Sequence, residues 1–225
     1  MRPGNVSLYR LTVLAAVCAV ALFVGVIGVL PAISAGGGTH AKARAKVHET
    51  TFRLFPNKPF LPCARQPGQT ARVTATVTRG RLNDTMKLAL SGFRPGLDFD
   101  LFTIEKSNQL SDGTPDPAFT NFGLAWYQSD IHVGSTGDGN VSIKTILLDQ
   151  IFGFDPAVGL APTNTFHVGF WFNNPADAAF CGFTGSTPFN GEHAAGPNAF
   201  ITRPVAVFNV GPLCTDPVGV GVCNP

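Results

Sequence analysis

Long amphipathic helices are missing from this sequence, and so, very nearly, are tyrosine and tryptophan. Beyond residue 35 no stretch repeats its apolar residues at the three-to-four spacing of a helix, which points away from helical architectures. Two Trp and two Tyr stand against 19 Phe. Phenylalanine has no polar tip needing a partner, so most of these rings belong in a core and few are left for a ligand-stacking surface. No Gly-rich phosphate loop follows a strand and opens a helix, so nucleotide binding has no support. No internal period recurs, which removes solenoids and propellers.

Motifs of catalysis and metal binding are missing in the same way. Residues 182–186 read GFTGS, not the G-x-S-x-G of a nucleophile elbow, and no H-E-x-x-H is present. The sequence therefore leans away from an enzyme, although a carboxylate pair for glycosidic cleavage meets in space and leaves no spacing to read. His132, His167 and His193, with Glu192, are scattered singles without the H-x-H pair that copper–zinc superoxide dismutases use, and no Cys–His–Met set of the cupredoxin kind is present. No C-x-x-C pair exists to hold zinc. Asp112, Asp116, Asp130 and Asp138 lie in Gly-rich loops, but no acidic residue closes a twelve-residue EF-hand loop. Asp112 and Asp116 are the candidate ligands if calcium is bound, with Asx capping of turns as the competing role. Otherwise no cofactor is expected.

What is present points one way. With 25 Gly, 18 Pro and 44% hydrophobic residues, the chain has many turns and enough apolar mass for one good core. A mature portion of this size buries roughly 70% of its unfolded surface. The expected fold is all-β: a single-domain antiparallel β-sandwich of immunoglobulin-like or jelly-roll type.

Arg2 and Arg10 precede an apolar run over residues 11–30, Pro31 breaks it, and Ile33, Ser34 and Ala35 offer a small-residue exit. Residues 1–35 are thus expected to be a secretory signal peptide, and the protein to be secreted. The alternative is an uncleaved anchor at residues 11–30, since 20 apolar residues just suffice to span a bilayer. Export leaves Cys63, Cys181, Cys214 and Cys223, an even set for disulfides. Cys214 and Cys223 enclose a short segment able to close as a loop, which leaves Cys63 for Cys181.

Residues 36–50 (GGGTHAKARAKVHET) lack an apolar face and read as a flexible basic linker, with the domain running over 51–225. Residues 51–69, interrupted by Pro56, Pro59, Pro62 and Pro67, are expected to be an extended piece laid over the domain and not a central strand. Residues 72–79 alternate Val73, Ala75 and Val77 with threonines, and pair as a hairpin with the strand starting at Thr85. Residues 86–104 organise the rest: Met86, Leu88 and Leu90 share a face, a Gly- and Pro-rich turn follows, and Phe99 to Ile104 is apolar on both faces. Residues 90–99, LSGFRPGLDF, resemble the L-x-G-L-x-P-G-x-x-Y corner of fibronectin type III and related immunoglobulin-like domains. That resemblance implies a strand crossing between sheets, with Phe99 standing where the family has Tyr, so that the corner hydroxyl is absent.

Further on, residues 124–133 and 140–148 are expected to form a second hairpin across the turn at 134–139, and 147–154 a short helix or 3₁₀ turn. Residues 165–172 predict a central strand with Phe166, Val168, Phe170 and Phe172 inward and His167, Gly169 and Trp171 on the other face. Residues 199–202 and 205–210 supply closing strands. Two long Gly/Pro-rich loops, 105–120 and 173–198, are the expected contact regions.

From residue 36 on, basic and acidic residues balance, but 36–94 hold eleven Lys/Arg against Glu49 and Asp84, while 95–225 hold three against twelve. In a sandwich the halves interleave and the surface becomes mixed; the polarity otherwise suits self-association or an anionic wall polymer. Trp126, Tyr127 and Trp171 are the candidate ligand-binding rings, as a sugar-stacking platform. Taken whole, the chain resembles exported, Phe-rich β-sandwich proteins of bacteria without a characterised activity. That resemblance implies a secreted, non-catalytic surface or matrix-associated binding or structural module; the alternative is a carbohydrate-binding or polysaccharide-acting domain. Expected partners are cell-wall or extracellular polysaccharide or the chain itself, with no nucleic acid, and a membrane only through an uncleaved N-terminal segment.

Overall fold

The computed structural model describes residues 49–80, 83–145, 153–155, 160–163, 165–187, 193–205 and 210–214. The expected signal peptide and linker up to residue 48 lie outside them. Among the described residues no helix is long and apolar enough to cross a membrane.

Alternation builds the first hairpin. In β2 (Arg72–Thr78) Val73, Ala75 and Val77 are buried, and in β3 (Asp84–Ser91) so are Met86, Leu88 and Leu90. The register sets Val77 against Met86, Ala75 against Leu88 and Val73 against Leu90, so the two apolar rows coincide. Asp84 is fully buried at the hairpin end, where its carboxylate meets Arg79 Nε at 3.2 Å and accepts from the Gly80 N–H at 2.9 Å.

The preceding segment is a strand, contrary to the expectation of a piece laid over the domain. β1 (Glu49–Pro56) pairs with β2 from Glu49 to Leu54 and then, at Phe55 and Pro56, with β10 (Asn198–Ile201). The prolines do not prevent this because Pro56 is the last residue of the strand. Pro59 and Pro62 fall beyond it, in a 3₁₀ turn (Lys58–Phe60) and a helical turn (Leu61–Ala64), where a missing N–H costs little. The strand also begins at Glu49, two residues before the expected start of the domain.

β3 and β4 (Asp98–Ile104) do not pair with each other across the turn between them. β3 pairs with β2 and β6 (Gly139–Thr145), whereas β4 pairs with β5 (Ala125–His132) and β9 (Thr165–Phe172). The turn is therefore a corner that carries the chain to new partners. It is tied in place by backbone bonds: Phe93 N–H to Gly137 O (3.0 Å), Gly96 N–H to Val133 O (2.9 Å) and Arg94 N–H to Ala64 O (2.8 Å). Phe93 and Leu97 point into the core from it.

Together these pairings make one antiparallel path, β5-β4-β9-β10-β1-β2-β3-β6, with β11 (Leu213–Cys214) added to β9 and a separate ribbon of β7 (Gly153–Asp155) and β8 (Leu160–Thr163). The fold is all-β. Its main core is a phenylalanine cluster: Phe93 lies 5.7 Å from Phe99 and 5.1 Å from Phe200, and Phe99 lies 4.8 Å from Phe170, centre to centre. As expected, Phe166, Val168, Phe170 and Phe172 of β9 all enter this core.

β5 and β6 are consecutive in the chain yet end the path on opposite sides, so the expected second hairpin does not form as a ladder among the described residues. Each strand finds its partner elsewhere, β5 on β4 and β6 on β3. A bulge in β5 supplies a link between them. Ser129 faces Leu101 and Tyr127 faces Phe102, leaving Gln128 as the extra residue. Its amide donates to Thr103 Oγ1 at 2.9 Å and its carbonyl accepts from the Thr145 hydroxyl of β6. The expected helical turn at 147–154 lies largely outside the described residues, and its described end is strand β7. Val205 and Val210 face each other in an isolated bridge and do not lie along one strand; 206–209 are outside the described residues.

Cys63 and Cys181 are bonded, with Cα atoms 6.1 Å apart, which is the pair expected to tie the N-terminal segment to the second long loop. Cys181 ends a 3₁₀ helix (Pro175–Cys181) whose first turn is capped by Asn174, accepting from Ala176 N–H at 3.0 Å. Cys214 is the last residue of β11, and Cys223 lies outside the described residues, as does any bond between them.

Candidate functional site

The strand run β5-β4-β9-β10 has a second face, away from the phenylalanine core, on which the first long loop and the end of the second lie. On β4 the alternation that sends Phe99 and Leu101 inward sends Asp98, Asp100, Phe102 and Ile104 outward. On β9 it sends out His167, Gly169 and Trp171. Ile104, Trp171 and Ile201 are buried there with Ala195, although they are not part of the main core.

Loop 105–124 is ordered by bonds to the sheet. Lys106 N–H donates to Phe122 O at 2.9 Å and Glu105 N–H to Leu124 O at 2.8 Å, which extends the β4 edge into the loop. Further out, the Ser107 hydroxyl donates to Thr202 O at 2.9 Å and Gln109 Nε2 to Pro56 O at 2.9 Å. Arg203 closes the assembly, donating to Gln109 Oε1 at 3.0 Å while its guanidinium lies 4.0 Å from the centre of the Phe55 ring. Burial lowers the Arg203 pKa, and the nearby Asp112 charge opposes that. The second loop is held by the Thr187 N–H and hydroxyl on Ala195 O, at 2.8 and 3.1 Å, and by Gly196 N–H on Phe172 O at 2.7 Å.

Between the loops remains a cleft of about 460 Å³, walled by Phe102 and Ile104 of β4, Phe119 and Phe122 of the first loop, Ala125 of β5 and Trp171 of β9. The rings form a continuous edge-to-face series. Phe119 meets Phe122 at 4.7 Å, Phe122 meets Trp171 at 4.9 Å and 83°, Trp171 meets Phe102 at 5.4 Å and 81°, and Phe102 meets Tyr127 at 5.6 Å.

At its other end the same face is polar. Asp100, fully buried, accepts from Asn173 Nδ2 at 2.7 Å and meets His193 Nε2 at 3.1 Å. This carboxylate–imidazole pair fastens the second loop to the sheet. Directly opposite on β5, exposed Asp130 accepts from the Tyr127 hydroxyl at 2.7 Å. His132 and Asp98 make an exposed pair at 2.7 Å. His167 is buried against Thr202, Nδ1 to Oγ1 at 3.0 Å, and burial pulls its pKa down to about 4, with a hydrogen bond to the Thr202 backbone in partial opposition.

Of the candidate rings, the structure places Tyr127 and Trp171 on this face and Trp126 on the other. Trp126 stands edge-on to Phe166 of the core at 5.1 Å. Trp171 is only 7% exposed and Tyr127 42%, so the three do not share a flat platform. Adjacent residues of one strand point to opposite faces, which is why Trp126 and Tyr127 part company.

Asp112 and Asp116 act as turn caps: Asp112 Oδ1 accepts from the Thr114 N–H and hydroxyl at 2.8 and 2.7 Å, and Asp116 Oδ1 accepts from Ala118 N–H at 2.8 Å. The bonds from Thr114, the backbone one foremost, lower the Asp112 pKa. Among the described residues no three His, Cys, Asp or Glu side chains come together to hold a metal, and Glu192 is outside them. The three histidines instead each meet a different oxygen, on Asp98, Thr202 and Asp100.

Sequence reasoning missed Phe102, Phe119 and Phe122, because a Phe-rich composition assigns rings to a core by default. The signal available was the pair of phenylalanines inside the polar loop 105–124, where an apolar side chain has to be covered by something. No protein family, curated protein or solved structure matches the chain.

Proposed function

We propose that this protein is an exported, non-catalytic binding and structural module of the cell surface or extracellular matrix, and that it takes its ligand in the cleft under the two long loops. One observation carries the reading: the first loop is fixed by Ser107 on Thr202 O and Gln109 on Pro56 O, the second by His193 on Asp100 of β4 and Gly196 N–H on Phe172 O of β9, yet they leave a cleft of about 460 Å³ between them instead of collapsing onto it. Pockets that hold small ligands are typically about 300–1,000 Å³, largely apolar, and lined by few polar groups. Export is supported by the basic-then-apolar N-terminal sequence and by a disulfide in the folded unit. On this reading the strand path folds as two antiparallel layers, immunoglobulin-like or jelly-roll in type. The change of partner along β1 and the corner between β3 and β4 support that arrangement.

Fractionation and sedimentation test the proposal. The protein is expected in the medium or envelope fraction of its producing cells, and purified protein is expected to sediment with isolated envelope without releasing reducing sugar ends. Ala125→Phe, placed at an exposed position on the cleft wall, is expected to reduce sedimentation at least tenfold. Recovery from the cytosol alone, turnover of a polysaccharide, or sedimentation unchanged by the substitution would refute it.

A further inference from the structure

Resting on the cleft as the binding site, we infer that its ligand is a neutral, ring-bearing molecule that presents a carbonyl or ether oxygen to the indole N–H of Trp171. Among the described residues, the cleft lining carries no charged side chain. A cation would find no carboxylate there and an anion no ammonium or guanidinium, so either would lose its water without compensation. Glu105, beside Gly123, accepts from the Leu124 N–H at 3.1 Å. The polar rim is partly engaged with itself. Asn121 Oδ1 accepts from Gly123 N–H at 2.9 Å and its Nδ2 donates to Thr120 Oγ1 at 3.2 Å, while the Thr187 hydroxyl donates to Ala195 O.

Trp171 differs. It is 7% exposed, yet its Nε1–H makes no hydrogen bond among the described residues. The benzo edge of the indole lies over Gly169, where an added Cβ would sit 3.3 Å from Cζ3. Nε1 is on the opposite edge of the ring system and is therefore turned from the sheet toward the cleft. Phe102 and Phe122, standing at 81° and 83° to the indole plane, hold it in that attitude. Trp171 Nε1 is not among the fully buried polar atoms, so water reaches it; a ligand that displaces this water without bringing an acceptor leaves the donor unpaired in an apolar wall, which is costly. A sugar fits poorly, since most of its hydroxyls would meet phenylalanine walls. A ring with one acceptor oxygen matches both the walls and the donor, and Gly169 leaves the indole room against the sheet, where a Cβ would press on it at 3.3 Å.

The chain has two tryptophans, so a ¹⁵N-labelled sample shows two indole N–H resonances, and Trp171→Phe assigns them. The probes are acetophenone, ethylbenzene, phenyltrimethylammonium and a soluble glucan oligosaccharide. Acetophenone is expected to move the Trp171 resonance saturably and leave that of Trp126 in place. Ethylbenzene, lacking the oxygen, is expected to bind at least tenfold more weakly, and Ala125→Phe to abolish the acetophenone response while the Trp126 resonance stays put. Equal binding of ethylbenzene, or a response only to the ammonium or the glucan, would overturn the ligand class and leave the cleft as the binding site. No response to any probe, together with envelope sedimentation indifferent to Ala125→Phe, would remove the cleft itself.

Discussion

His167 shows how a single side chain reports on the face it occupies. Strand alternation alone places it opposite Phe166 and Val168, but that this second face is also buried is not legible locally, because the cover comes from residues far along the chain, such as Ser107 and Thr202. Burial lowers its pKa to about 4, from the ordinary 6.5. The unfolded chain thus takes up a proton that the folded one refuses. Stability is complete above the unfolded pKa and falls as pH drops from about 6.5 toward 4, by at most about 1.4 kcal/mol per unit. Urea midpoints measured from pH 4 to pH 7 are expected to show this acid limb, and His167→Gln to flatten it relative to the parent. At the same scale Phe93, fully buried among Phe99, Phe170 and Phe200, is a corner residue whose replacement by Ala is expected to cost about 3–5 kcal/mol in the same assay.

Among elements, the corner between β3 and β4 separates two roles of glycine. Gly92 and Gly96 both have positive φ, +75° and +78°. A Cβ on Gly96 meets nothing within 4 Å, whereas one on Gly92 would lie 2.5 Å from the Thr70 carbonyl oxygen. Gly96→Ala is expected to cost only the left-handed backbone penalty, about 1–2 kcal/mol. Gly92→Ala is expected to cost clearly more, because backbone has to move as well; paired thermal melts of the two variants check the order. This corner was readable in advance because glycine, proline and flanking alternation all agree over residues 86–104. β2, β3, β4 and β9 were readable for the same reason. The hairpin expected from β5 and β6 was not borne out, since nearness in sequence stood in for pairing, and the decisive partners, β4 and β3, are set by which edges remain open. Likewise, β1 was set aside on its prolines, although the only one inside it ends it. The cleft was legible least of all: it exists only where two loops and three strands meet, and no one of them carries its pattern.

At the level of the molecule, the Cys63–Cys181 bond joins points 118 residues apart and fixes the second long loop to the segment after β1. Closing so long a loop restricts the unfolded chain strongly, and its loss is expected to cost about 2–5 kcal/mol. Denaturation with and without reductant measures this. Reduction is also expected to loosen the cleft, because Cys181 anchors the same loop that carries Thr187 and Ala195.

The divided loyalty of β1 sets an order on assembly. A chain emerging N-terminus first can zip β1 to β2, and β2 to β3, at once, but Phe55 and Pro56 stay without strand neighbours until Phe200 and Ile201, far along the chain, arrive. Through that interval the nascent protein carries an open margin of the kind that recruits other chains, and Pro56, which has no amide hydrogen to offer, stands at its end as a guard against mispairing.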